Sequence, residues 1–92
     1  MKPTLKQAAQ TSLDVQNACN LSGVVRSFAD ITATLWDEAH RQEKGTDWVN
    51  THPVVILFMS KLCSLSRYTC GSESDNFRQA YDAVKKLAAG AV

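Results

Sequence analysis

The stretch PVVILFMSKLCSLSRY, Pro53 to Tyr68, decides the fold. Proline suits the first turn of a helix, where no backbone N–H is needed, with Thr51 or His52 ahead of it. Placed at 100° per residue, Val54 to Met59, Leu62, Cys63 and Leu65 cover most of the circumference. Ser60, Lys61 and Ser64 mark the one polar stripe, and Ser66 stands alone on another side. A helix apolar nearly all round is a buried one. This segment is therefore expected to be the central rod of the core, sheathed by its neighbours. The run Val54 to Met59 also fits a buried strand. No other segment looks like a partner strand, and a lone strand leaves its backbone unpaired.

The segments around the rod read as helices. From Leu21 to Ala39 the apolar residues Leu21, Val24, Val25, Phe28, Ile31, Leu35 and Ala39 follow one helical face, centred near Phe28. Asn20 or Ser22 can cap its start, and Gly45 is expected at a left-handed turn beyond its end. Asp75 to Ala89 places Phe77, Ala80, Tyr81, Val84, Leu87 and Ala88 on one face, capped by Ser74 or Asp75, with Lys85 and Lys86 complementing the helix dipole near its end. Ala88 to Val92 reads as a fraying end. Thr4 to Cys19 is the weakest segment, an Ala-rich covering helix or an extension of the next one. An extra turn is expected at Asp47 to Thr51, capped by Thr46 or Asp47. Thr69 to Asp75 is the longest break in the pattern. Short connections favour antiparallel neighbours. The expectation is an all-α compact bundle of four to five helices, one domain over residues 1–92, with a buried central helix.

Composition bounds the function. The chain has 92 residues, 45% apolar and 21% charged, with ten Lys and Arg against nine Asp and Glu. That mix is globular and not disordered. A chain of this size buries about 64% of the surface it exposes when unfolded, enough for one core. A net charge of +1 rules out an acidic DNA mimic and argues against non-specific grip on phosphate backbones. No apolar run approaches the ~20 residues of a membrane span. The N-terminal MKPTLKQAAQTSLD lacks the apolar region of a secretory signal. With Cys19, Cys63 and Cys70 an odd set, reduced thiols and a cytoplasmic location are expected.

Chemistry finds little support. His40, His52 and the three cysteines lack the paired spacing of a zinc site, so no metal or cofactor is expected. No glycine-rich loop, nucleophile elbow or paired carboxylate motif frames a catalytic residue. Asp37 and Glu38 are adjacent and point 100° apart, which reads as solvated surface. The chain is expected not to be an enzyme.

Contact surfaces have more to work with. Ala29, Ala33, Trp36 and His40, spaced 4, 3 and 4 apart, form a second stripe round from the core face of their helix. It either packs on another helix of the same domain or meets a partner, with Trp36 as the anchor. Arg41 extends it. The corner that follows, with Lys44, Asp47, Trp48 and Asn50, is either a packed joint with Trp48 folded over the core edge or a contact loop carried on rigid helices. The competing surface is the last helix, where Asn76, Arg78, Gln79 and Lys85 suit nucleic acid but share their face with Asp75 and Asp82. A homo-oligomer burying the Trp36 stripe between copies is a third class.

Between Asp14 and Leu65 the chain carries NACNLSGVVRSF, LWDEAHRQEKGTDWVNTHPVVILF and SKLCSL. In these stretches, GTDWVNTHP above all, it resembles a family of small helical bacterial proteins linked to phages, plasmids and other mobile elements. The resemblance covers a little over half the chain. Met1 to Leu13 and Tyr68 to Val92 fall outside it. It implies a counter-defence role of the anti-CRISPR kind: a protein that binds a host effector complex and blocks or dismantles it.

Overall fold

A computed structural model describes residues 3–66 and 74–90. The elements are α1 (Leu5–Asp14), a 3-10 turn (Val15–Asn17), α2 (Leu21–Arg41), α3 (Thr46–Asn50), α4 (Pro53–Leu65) and α5 (Ser74–Ala89). The described residues contain no strand. The fold is an all-α bundle, and the run Val54 to Met59 is helical.

The start of α4 is fixed from both sides of its first peptide. Pro53 occupies the first helical position, and His52 accepts the Val54 N–H on Nδ1 at 3.2 Å. Val54, Leu57 and Phe58 are fully buried, and Val55 nearly so. The Phe58 ring stacks on Phe28 of α2, with centroids 5.4 Å apart. Ile31 and Leu35 of α2, Val49 of α3 and Val84 of α5 complete the fully enclosed core around them.

The rod is not sheathed all round. Met59 is 46% exposed, and Ile56, Ser60 and Cys63 beside it are half-buried. The reason lies in how the neighbours divide their surfaces. α1 packs more extensively on α5 than on α4, while α2 covers the Phe58 side. Among the described residues the strip from Ile56 to Cys63 is only partly covered.

α1 is a separate helix and does not run on into α2. A reciprocal capping box starts it: the Gln7 N–H donates to the Thr4 hydroxyl at 3.2 Å, and the Thr4 N–H donates to Gln7 Oε1 at 2.8 Å. After the 3-10 turn, Ala18 is extended and Asn20 caps α2 by accepting the Gly23 N–H at 3.3 Å. Ala8 and Ala9 are fully buried, so the small residues that made this segment look thin let α1 approach closely. Lys61 of α4 donates to the Gln16 carbonyl at 2.8 Å and ties the end of the 3-10 turn to the rod. The Ser12 hydroxyl is buried with no hydrogen-bond partner among the described residues.

Other expectations need correction. Leu21 and Val25 are 44% and 49% exposed, not core. The inner face of α2 is turned toward Val24, Ile31, Thr34, Leu35 and Ala39. Thr34 can lie inside because its hydroxyl donates to the Asp30 carbonyl at 3.3 Å. The left-handed residue after α2 is Glu43, at φ 55, and not Gly45. Gly45 is extended and is itself the N-cap of α3, so neither Thr46 nor Asp47 caps that turn. Tyr81 is 37% exposed, with the Lys85 ammonium 5.7 Å from its ring centre. α5 ends at Ala89, where the expected helix ends, and Gly90 follows at φ 81. The capping choice at Ser74 or Asp75 lies outside the described side chains, and most of the Thr69 to Asp75 break lies outside the described residues. Cys63 is disulfide-bonded, against the expectation of reduced thiols, while Cys19 is free and exposed. Cys70 lies outside the described residues.

Three substitutions test this packing by urea unfolding. Phe58→Ala removes a fully enclosed ring and is expected to cost about 3–5 kcal/mol. Met59→Gln, its chain neighbour on the open strip, is expected to change stability by about 0.5 kcal/mol or less. Ser12→Ala relieves an unsatisfied hydroxyl and improves helix propensity, so it is expected to stabilise by about 1 kcal/mol.

Candidate functional site

The stripe and corner proposed for partner contact lie along α2 from Ala29 to Arg41, at Lys44 in the turn after it, and on α3. Ala29, His40, Arg41, Lys44, Asp47 and Asn50 are exposed. Ala33, Trp36 and Trp48 are half-buried, and both indoles pack against the core. Each Trp is therefore partly packed inside the domain and partly accessible to solvent.

Hydrogen bonds make the corner compact. Beyond α2, the Gln42 N–H donates to Glu38, the Glu43 N–H to His40 and the Lys44 N–H to Ala39, each on the backbone carbonyl. The last of these is 2.8 Å. The left-handed Glu43 permits this reversal. The Trp48 N–H then donates to the Gly45 carbonyl and the Thr51 N–H to that of Asp47, which closes α3. Trp36 and His40, one turn apart, place their ring centres 6.4 Å apart at a 40° tilt.

Arg41 is not a free anchor. Its guanidinium pairs with Glu38, which also accepts from Gln42 Nε2 at 2.7 Å. The bonds from Arg41 and then Gln42 hold the Glu38 carboxyl below its usual value, and the pair in turn raises Arg41. Glu38 is half-buried, whereas Asp37 beside it is exposed, so the two carboxylates do not share one environment.

Trp48 and His52 meet edge to face, with centroids 5.1 Å apart. His52 is buried, and its Nδ1 accepts the Val54 N–H, so the neutral ring carries its proton on Nε2. This joint is structural: it fixes where α4 begins and seats the inner face of Trp48.

The described residues hold no group of three or more His, Cys, Asp or Glu near enough to share a metal ion. Among the described residues, two surface depressions have volumes of about 360 Å³ each. One lies between Pro53, Ile56, Gln79 and Ala83; the other lies between Thr4, Thr34 and Arg41. Neither contains a cysteine or a histidine. On α5, Arg78, Gln79 and Lys85 are exposed, as is the acidic Asp82. The side chain of Asn76 lies outside those described. No described helix is long and apolar enough to cross a membrane.

The residues missed by sequence reading are Leu21 and Val25. They continue the outward stripe of α2 toward its N-terminus, one helical turn apart. The available signal was angular: Leu21, Val25, Ala29, Thr32 and Trp36 recur every three or four residues on a line of their own.

Burial lowers the His52 pKa, so protonation is resisted in the folded chain. The unfolded chain takes up its proton first as pH falls below about 6.5. The stability from this joint is therefore complete above that value and is lost as pH falls toward the lowered folded-state value. His52→Asn keeps an N-cap acceptor. It is expected to flatten the slope of unfolding free energy as pH falls below about 6.5. An unchanged slope measured by urea unfolding would remove His52 as its cause.

No protein-family model, curated protein or solved structure matches the chain.

Proposed function

We propose that the chain is a non-enzymatic protein-binding module, a mobile-element-encoded inhibitor that binds a host CRISPR effector complex and blocks or dismantles it. The observation that carries the contact surface is the Trp36–His40 ring pair, half-exposed and continuous with the hydrogen-bonded corner of Lys44, Asp47 and Asn50. The resemblance between Asp14 and Leu65 supports the choice of partner. The surface combines an aromatic edge with charges of both signs on rigid elements. That suits a protein face better than a phosphate backbone. Inhibition then needs no chemical step. Occupying a subunit interface or a nucleic-acid entry path is sufficient, and one copy disables one complex.

The test is a target-DNA cleavage assay with purified effector complexes of several types, titrated with the purified chain. Inhibition is expected to saturate near one chain per complex. His40→Ala with Lys44→Glu, which leaves the core untouched, is expected to weaken it about tenfold or more. Inhibition at sub-stoichiometric amounts would point to catalysis and overturn the reading. So would capture of bare nucleic acid with affinity falling steeply as salt rises, which would favour a regulator acting through α5. Failure against every effector type tested would remove the assigned partner.

A further inference from the structure

We propose that the joint between α3 and α4 is a pH-operated latch: a proton taken up by the buried His52 uncaps α4 and releases Trp48 with the α3 turn, while the rest of the bundle stays folded. His52 is 8% exposed and stands at the N-cap of α4, where its Nδ1 accepts the Val54 N–H at 3.2 Å. Its main chain ties the two sides of the joint. Its N–H donates to the Val49 carbonyl at 3.2 Å, and its carbonyl accepts from the Ile56 N–H at 3.1 Å. Its ring meets that of Trp48 with 5.1 Å between centres and 63° between planes. One imidazole therefore caps α4 and seats the indole of α3.

A proton undoes the cap by geometry. The neutral ring offers a lone pair on Nδ1, whereas the imidazolium carries an N–H on both nitrogens and accepts nothing. The Nδ1–H and the Val54 N–H then face each other as two donors. The new charge also lies at the positive end of the α4 dipole, and the first turn of α4 holds no acidic residue to offset it.

The packed elements supply no counter-charge among the described residues. α5 meets this end of α4 with Gln79, Ala80 and Ala83, and its Arg78, Asp82 and Lys86 are exposed. α2 turns Leu35 and Ala39 inward, its Asp37, Glu38 and Arg41 line the depression beside Thr4 of α1, and its His40 is exposed. α1 holds Asp14 against Gln10, and Lys61 of α4 is bonded to the Gln16 carbonyl. Lys44 and Asp47, on the α3 side, are exposed. Burial is the one cause of the lowered His52 pKa, so none of these charges holds the proton on the ring.

The release stays local because little else holds α3. It is five residues long, with Val49 its one buried residue. α4 remains anchored by Leu57 and Phe58, both fully enclosed. Segments with few buried contacts open well below the global unfolding energy. The turn that moves carries Asp47, Trp48 and Asn50 of the proposed partner surface, but the latch does not require the partner.

Hydrogen exchange by NMR on the full chain between about pH 7.5 and 4.5, corrected for intrinsic rates, tests it without any host component. The open joint keeps the ordinary histidine pKa and takes its proton first. Protection at the Thr51, Val54 and Ile56 amides is therefore expected to fall by up to about tenfold per pH unit below about pH 6.5, while that at Ile31, Leu35 and Val84 holds. His52→Asn keeps a cap acceptor that acid does not titrate, and is expected to leave protection at the three joint amides level across the same window. Three results overturn the latch. One is an equal fall in the His52→Asn chain, which assigns the change to another group. Another is steady protection at the joint while the His52 ring takes up its proton. The third is loss at Ile31, Leu35 and Val84 in step with the joint, which is global unfolding. The wild-type results stand without the variant, and none of them bears on effector inhibition at neutral pH.

Discussion

The burial of one face of α4 is the constraint on which the remaining structure depends. Val54, Leu57 and Phe58 stand on a helix with almost no polar surface to offer water, and each is fully enclosed. Apolar burial is the main favourable term available to a chain of this size, at about 25 cal/mol per Å². α2, α3 and α5 each contribute a fully buried side chain to the same core: Ile31 and Leu35, Val49, and Val84. The cap at His52 and the proline beside it fix where this helix begins, so the corner at α3 and the angle of Trp48 follow from the same joint.

That arrangement also determines what is left outside. A helix has one circumference, and α2 uses the side bearing Val24, Ile31 and Leu35 to meet the core. About 100° round from that side, Leu21 and Val25 carry apolar groups that remain exposed. The corner beyond it is held by backbone hydrogen bonds, and its exposed Lys44, Asp47 and Asn50 side chains make no part of the core. Surfaces supported this way suit binding by a rigid body, where little ordering is needed on association.

Much of this was legible in the sequence, and the misses share a cause. Helix existence followed from periodicity and from Pro53, because both act locally. The cap by Asn20 and the turn at α3 were readable for the same reason. The inward side of α2 was not readable, because Leu21 and Val25 look like core by residue type alone. The structure instead buries Thr34, whose hydroxyl is satisfied by its own helix at the Asp30 carbonyl. Tyr81 was misplaced similarly: its ring finds Lys85 on the surface. Gly45 drew the left-handed assignment by composition, yet Glu43 takes that conformation where the chain reverses. The state of Cys63 depends on proximity in space, which spacing along the chain does not encode. At the candidate site, the sequence left Trp36 and Trp48 open between packing and contact, and both are half-buried against the core. The tether of Arg41 to Glu38 and Gln42 was not legible, because it depends on side-chain geometry around the last turn of α2.

Native-state hydrogen exchange at the backbone amides of Leu57 through Leu62 tests the account most directly. If enclosure of α4 holds the domain together, these amides exchange only through global unfolding, with a protection free energy equal to that from urea. Exchange there by local opening, while the amides of α2 and α5 stay protected, would contradict it.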